Sequence, residues 1–100
     1  MTTQKEFPAV SIPSPDALRS QIVRIVLDSA EGDLTGEQLT AAGDSLAAVS
    51  YSSLSYIRMI DAIENELGVY LDPEEENEHF ETVDGIVKLV SEQLQESASV

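Results

Sequence analysis

Residues 51 to 68 read Tyr51-Ser52-Ser53-Leu54-Ser55-Tyr56-Ile57-Arg58-Met59-Ile60-Asp61-Ala62-Ile63-Glu64-Asn65-Glu66-Leu67-Gly68 and carry the strongest helical signal in the chain. Leu54, Ile57, Ile60, Ile63 and Leu67 recur at intervals of three and four, which places them on one side of an α-helix. The spacing predicts a helix from Ser52 or Ser53 to Leu67. Gly68 ends it where a left-handed residue is wanted, a conformation that costs glycine little. Arg58, Asp61, Glu64 and Asn65 fall on the opposite side and read as solvent-facing.

Upstream, Ser14 can cap a helix, Pro15 suits its first turn and Asp16 complements its dipole. Leu18, Ile22, Ile25, Val26 and Ser29 follow at helical spacing, so a first helix is expected over about 16–30. Leu34, Leu39, Leu46 and Val49 are spaced too irregularly for one amphipathic helix and predict a long loop pinned by those four side chains. Beyond Gly68, Val69 and Leu71 return to the core. Asp72 and Pro73 then open an acidic connection with room for a short helix near Phe80. Thr82 can cap a last helix with Val83, Ile86, Val87, Val90 and Leu94 on one face, in which Gly85 costs about 1 kcal/mol relative to Ala.

The expected fold is therefore all-α: a small four-helix bundle with three long helices, one short one, and a long loop between the first two long helices. Residues 1–14, with Pro8 and Pro13 among polar residues, are expected to be a flexible tail. Residues 15–95 would form the domain and 96–100 a second tail.

One hundred residues suit one domain and leave little room for a large catalytic cleft. Five Lys and Arg against 19 Asp and Glu give a net charge of −14, which repels nucleic acid and anionic lipid. With no cysteine there is no disulfide frame, thiolate nucleophile or zinc knuckle. Aromatic residues make up only 5% of the chain, so the core is expected to consist of Val, Ile, Leu and Ala. No apolar run matches the ~7–15 residues of a signal peptide or the ~20 of a membrane span. A cytoplasmic protein without a membrane partner is expected.

Catalysis needs a base beside a nucleophile, and the single histidine, His79, has no Ser or Cys at a triad spacing. It reads as a surface residue. The acidic run Asp72 to Glu78 is interrupted by Pro73 and lacks the glycine of an EF-hand loop, so no metal site is expected. None of the carboxylates sits in a segment apolar enough to raise its pKa for acid catalysis. A non-enzyme is expected. What remains is a serine at the start of the best helix, where unpaired N–H groups and the helix dipole favour a capping hydroxyl or an attached phosphodiester.

From Glu37 to Ser99 the chain resembles the acyl carrier proteins. The stretch "EQLTAAGDSLAAVSYSSLSYIRMIDAIENELGVYLDPEEE…FETV" looks like that family's loop, its Asp-Ser-Leu motif and its acidic recognition helix. The resemblance rests on Leu46 and Val49 before the motif, Ser53-Leu54 within it, Ala62-Ile63-Glu64 and Leu67-Gly68-Val69 after it, and Thr82-Val83 opening the last helix. Asp44-Ser45-Leu46 spells the tripeptide literally. In the family, however, the modified serine opens the helix that ends at a Glu-x-x-Leu-Gly segment. Glu64 to Gly68 stands about four turns after Ser53 and over six turns after Ser45, which selects Ser53.

The resemblance implies that Ser53 carries a covalent phosphopantetheine arm derived from coenzyme A and that acyl groups ride on it as thioesters. It implies as partners a phosphopantetheinyl transferase and acyl-loading, tailoring or condensing enzymes of a polyketide or fatty-acid-like pathway. The chain is expected to act as a monomer. Leu54, Arg58, Asp61, Glu64 and Asn65 are the expected docking face. Met59 and Ala62 read as bundle packing beside a cleft for an acyl chain. Ser52 stands where the family usually has Asp, Ser50 where it usually has Gly, and Arg58 where it usually has an acid, and these departures favour a specialised pathway. Two alternatives stay open: a free-standing peptidyl carrier holding an aminoacyl thioester, and an unmodified acidic helical adaptor.

Overall fold

The computed structural model describes residues 14–75 and 77–98. Among them the chain is a small all-helical bundle: α1 (Pro15–Ser29), α2 (Gly36–Ala41), α3 (Ser53–Leu67), a 3₁₀ helix (Asn77–Phe80) and α4 (Val83–Ala98). Helix α1 packs against both α3 and α4, and the 3₁₀ helix packs on α4. The expected 1–14 tail lies outside the described residues except for Ser14, whose Oγ accepts the Ala17 N–H at 3.2 Å and caps α1. At the other end α4 continues to Ala98, past the residue-95 boundary read from the polar composition, because a polar helix can project beyond the core it packs on.

The core combines Leu18, Ile22, Ile25 and Val26 of α1 with Met59 and Ile63 of α3 and Val83, Ile86, Leu89 and Val90 of α4. Of the four residues expected to pin the long loop, Leu39 and Leu46 are fully buried and Val49 packs partly against the core. Leu34 is only half-buried. Val69 and Leu71 close the bundle as expected and Phe80 joins them, so that Met59 and Phe80 widen the anticipated Val-Ile-Leu-Ala composition. On α4, Leu89 joins the buried face, whereas Val87 and Leu94 sit at its margin.

The loop hides a short helix that periodicity did not reveal. Only Leu39 of α2 is buried, so six residues offer no repeating apolar pattern. Its start is marked instead by a capping box: the Gln38 N–H donates to Thr35 Oγ1 at 3.1 Å and the Thr35 N–H to Gln38 Oε1 at 3.0 Å. The loop is then stitched to the start of α4. The Leu46 N–H donates to the Glu81 carbonyl and the Val83 N–H to the Asp44 carbonyl, both at 3.0 Å, around an antiparallel bridge between Ser45 and Thr82.

Arg19 reinforces this seam by pairing with both Asp44 and Asp84. Hydrogen bonding to Asp84 first, and the charge of Asp44, push its guanidinium pKa above the ordinary value. Arg24 links α1 to α3 through Glu66 at 2.5 Å and also meets Asp28 at 3.3 Å.

Gly85 reverses its expected role. A Cβ there would stand 2.5 Å from the His79 carbonyl oxygen, so the glycine lets the 3₁₀ helix rest on α4. That contact also half-buries His79, expected at the surface, and leaves its Nδ1 buried without a hydrogen-bond partner. Helix propensity alone would make Gly85→Ala stabilising by about 1 kcal/mol. The backbone clash predicts the opposite sign, a loss of about 1–3 kcal/mol in urea unfolding.

Candidate functional site

Ser52, not Ser53, caps α3. Its Oγ accepts the Ser55 N–H at 3.0 Å, and its hydroxyl donates to Ser55 Oγ at 3.0 Å. Ser55 is 1% exposed and also accepts the Glu31 N–H at 3.1 Å, tying the start of α3 to the segment that leaves α1. Ser53 is the first helical residue. It is exposed, and its hydroxyl has no hydrogen-bond partner among the described residues. Ser45 is already engaged: its Oγ accepts the Ala48 N–H at 3.2 Å and its backbone belongs to the bridge with Thr82. Of the three serines, only Ser53 offers an uncommitted hydroxyl in water.

The segment before Ser53 is shaped by a left-handed residue, Ser50, at φ 57°, a region L-residues occupy at a cost. Tyr51 follows and anchors the turn, donating its hydroxyl to the Val26 carbonyl at 2.7 Å. Its ring meets Tyr56 edge-on, with centroids 5.0 Å apart. Burial pushes the Tyr51 phenol up to about 12, partly opposed by its hydrogen bond to Ser29.

Burying Ser55 turns α3 about its axis relative to the expected stripe. The buried line runs Ser55, Met59, Ile63, and Ile57, expected in the core, is 65% exposed. Leu54 at 43% is also exposed, as are Arg58, Asp61 and Asn65. Arg58 makes no ion pair among the described residues, and the Asn65 amide donates to Asp61 Oδ2 at 3.3 Å.

Glu64, an expected member of the docking face, is less exposed than its neighbours Asp61 and Asn65. It is half-buried and its Oε2 accepts the Leu71 N–H at 3.0 Å. Gly68, left-handed at φ 68°, turns the chain back across the last turn of α3, and Glu64 satisfies the returning backbone. Ile57 is exposed on the same helix. The sequence signal that could have found it is the four-residue spacing of Ser55, Met59 and Ile63, masked by a nearly continuous apolar circumference.

A pocket of about 240 Å³ opens between α3 and the 3₁₀ helix, lined by Tyr56, Ile60, Pro73, Asn77, Phe80 and Glu81. Ile60 lies two turns after Ser53 and thus on the same side of the helix, about 10 Å along its axis. Met59, expected as bundle packing, is fully enclosed in the core, and Ala62 is half-buried against it. Among the described residues no group of three or more His, Asp or Glu could hold a metal ion, and no helix is long and apolar enough to cross a membrane. The chain matches no family model, no curated protein and no solved structure.

The anchoring role of Tyr51 has a pH signature. A phenol that ionises near 10 when unfolded but only at about 12 in the fold stabilises the protein below pH ~10, and that contribution is lost as pH rises toward 12. Urea unfolding from pH 9 to 12 should therefore show a steeper loss of stability for the wild type than for Tyr51→Phe. At neutral pH, Tyr51→Phe should be weaker by about 1 kcal/mol for the lost hydrogen bond.

Proposed function

We propose that the chain is a carrier protein that holds acyl intermediates as thioesters on a phosphopantetheine arm attached to Ser53 and presents them to biosynthetic enzymes. The observation that carries this reading is the state of the three serines: Ser45 and Ser52 spend their hydroxyls on caps and turns, while Ser53 stands exposed at the first position of α3. Fit to the arm is supported locally. The first N–H groups of α3 have no intrahelical acceptor, and a phosphodiester on the adjacent Oγ would lie in their field. Ser50 adopts the left-handed conformation at the position where the family resemblance expects glycine. The arm would supply the thiol that the cysteine-free chain lacks.

In this reading the chain's own residues position and present. Ser52 and Ser55 hold the start of α3, so Ser53 keeps one orientation. Leu54 and Ile57, with Arg58, Asp61 and Asn65, form a mixed apolar and charged face beside it for the transferase and for acyl-loading, tailoring or condensing enzymes. Tethering raises the effective concentration of cargo at a docked partner to ~mM for a short link, so docking can stay weak and reversible. The −14 charge favours fast, salt-sensitive encounters with basic partner surfaces.

Incubation with coenzyme A and a promiscuous phosphopantetheinyl transferase should add one arm, read by intact mass. Ser53→Ala should abolish the gain, whereas Ser45→Ala and Ser52→Ala should retain it, Ser52→Ala at a cost of about 0.5–2 kcal/mol in stability for its lost cap. Modification of the Ser53 variant would remove the assignment.

Arg58 provides a second test. Arg58→Glu should change the rate of transfer with cognate enzymes and raise cross-reaction with fatty-acid enzymes, while thermal midpoint and helical signal stay nearly constant, because an exposed charge contributes little to folding. Unchanged transfer with both sets would end the recognition role of this residue.

A further inference from the structure

The hydroxyls of Ser52 and Ser55 carry a proton each, and their surroundings use only one of the pair. Ser52 Oγ accepts the Ser55 N–H and Ser55 Oγ accepts the Glu31 N–H, so both oxygens already take a proton from the backbone. A single O–H bond of 3.0 Å joins the two oxygens. Whichever hydroxyl donates in it, the other keeps its proton, and among the described residues neither side chain makes a further hydrogen bond. Ser55 is 1% exposed and Ser52 half-buried, which keeps that proton from bulk water. A buried donor without an acceptor is destabilising, and folded proteins supply one from the chain or from ordered water.

A cavity of about 60 Å³ lies against this pair, and Glu31, Ser52 and Ser55 all line it. Because Ser55 Oγ is bonded to the other two, it sits where the three lining residues meet. The volume is about twice the ~30 Å³ that a water molecule occupies in the liquid, so it suits about one or two waters and excludes an acyl group. Leu34, Val49 and Ser50 also contribute to the lining, and their carbonyls accept no hydrogen bond among the described residues. Tyr51 lines the cavity as well, but its hydroxyl is spent on the Val26 carbonyl. A buried water ordinarily makes about three hydrogen bonds. One serine O–H and two peptide carbonyls meet that need.

We infer that this cavity is a binding site for a resident water molecule, which accepts the surplus proton of the Ser52–Ser55 pair. The water joins three segments: the exit of α1 at Glu31, the loop at Val49 and Ser50, and the start of α3. Ser53 follows directly on this junction, so the hydrated network steadies the turn that presents it. The inference concerns the unmodified chain and does not rest on Ser53 bearing an arm. Glu31 offers the competing acceptor. Its side chain is exposed, and a carboxylate turned inward would take the same proton.

The test is a pair of crystal structures of the unmodified full chain, wild type and Glu31→Ala, at a resolution that shows ordered water. Glu31→Ala removes the carboxylate and keeps the backbone N–H that Ser55 accepts. Both structures should show a water within about 3.2 Å of Ser52 Oγ or Ser55 Oγ, in the same place in every independent copy. A Glu31 carboxylate oxygen in that place would overturn the assignment, as would a serine hydroxyl turned onto a protein carbonyl with no water beside it.

In solution, magnetic relaxation dispersion of the water oxygen counts waters that outlast molecular tumbling and does not respond to serine hydroxyl protons. Ser55→Val replaces the hydroxyl with methyl groups that fill the space, and should lose one such water relative to the wild type. Ser53→Ala, outside the cavity lining, should lose none. An unchanged count in Ser55→Val, or an equal loss in Ser53→Ala, would overturn the site. Where Ser55→Val fails to fold, the two crystal structures decide. Arm addition is not a readout here, so this inference and the carrier reading stand or fall separately.

Discussion

The buried hydroxyl of Ser55 sets the geometry on which the rest of the site depends. A hydroxyl taken from water without partners costs a few kcal/mol, and Ser55 meets that demand by joining Ser52 Oγ and the Glu31 N–H. Because one partner lies in the chain leaving α1 and the other caps α3, the bond network fixes where α3 begins and how it is turned. Ser53, one residue after the cap, is thereby directed outward. The same rotation sends Ile57 to the surface and brings Met59 and Ile63 inward.

Charge shapes the molecule around that anchor. With 19 acidic residues against five Lys and Arg, the compact state brings like charges together, and two arginines are placed between carboxylates. Arg19 meets Asp44 and Asp84, and Arg24 meets Glu66 and Asp28. The Arg19 pairs and the Arg24–Glu66 pair join segments distant in sequence and so close contacts between elements, whereas Arg24–Asp28 lies within α1. Arg58, exposed on α3, makes no ion pair among the described residues.

The three long helices were legible because each carries enough turns for its apolar spacing to stand out, and the bundle followed from them. Stop and start signals were equally readable: Gly68 is left-handed at the end of α3, and Thr82 Oγ1 accepts the Gly85 N–H at 3.0 Å at the start of α4. The rotation of α3 was harder to read. Tyr56, Ile57, Met59, Ile60, Ala62 and Ile63 nearly encircle the helix, so periodicity alone leaves its inner face undecided, and a small polar residue, Ser55, makes the choice. Helix α2 was too short to show a period. Gly85 looked like a propensity defect because its reason, the His79 carbonyl, belongs to another element. Glu64 read as solvent-facing because its partner, the Leu71 backbone, reaches it only after the turn at Gly68.

The Ser53 turn and the aromatic pocket share one mechanical frame. Asp44 and Ser50, both left-handed at φ 61° and 57°, bracket the five residues 45–49 that carry the chain toward α3. Strained backbone of this kind persists only where surrounding contacts over-determine it. Here those contacts are the Leu46 and Val83 bonds across the seam, the Arg19 pairs, and the Tyr51 N–H donated to the Leu46 carbonyl at 3.0 Å. The Glu81 that accepts from Leu46 also lines the pocket, and Gly85 holds the neighbouring 3₁₀ helix against α4. A displacement of the 3₁₀ helix would therefore pull on the segment before Ser53, and a shift of that segment would reshape the pocket. Two surfaces that look separate on α3 are thus tied through the same few backbone bonds.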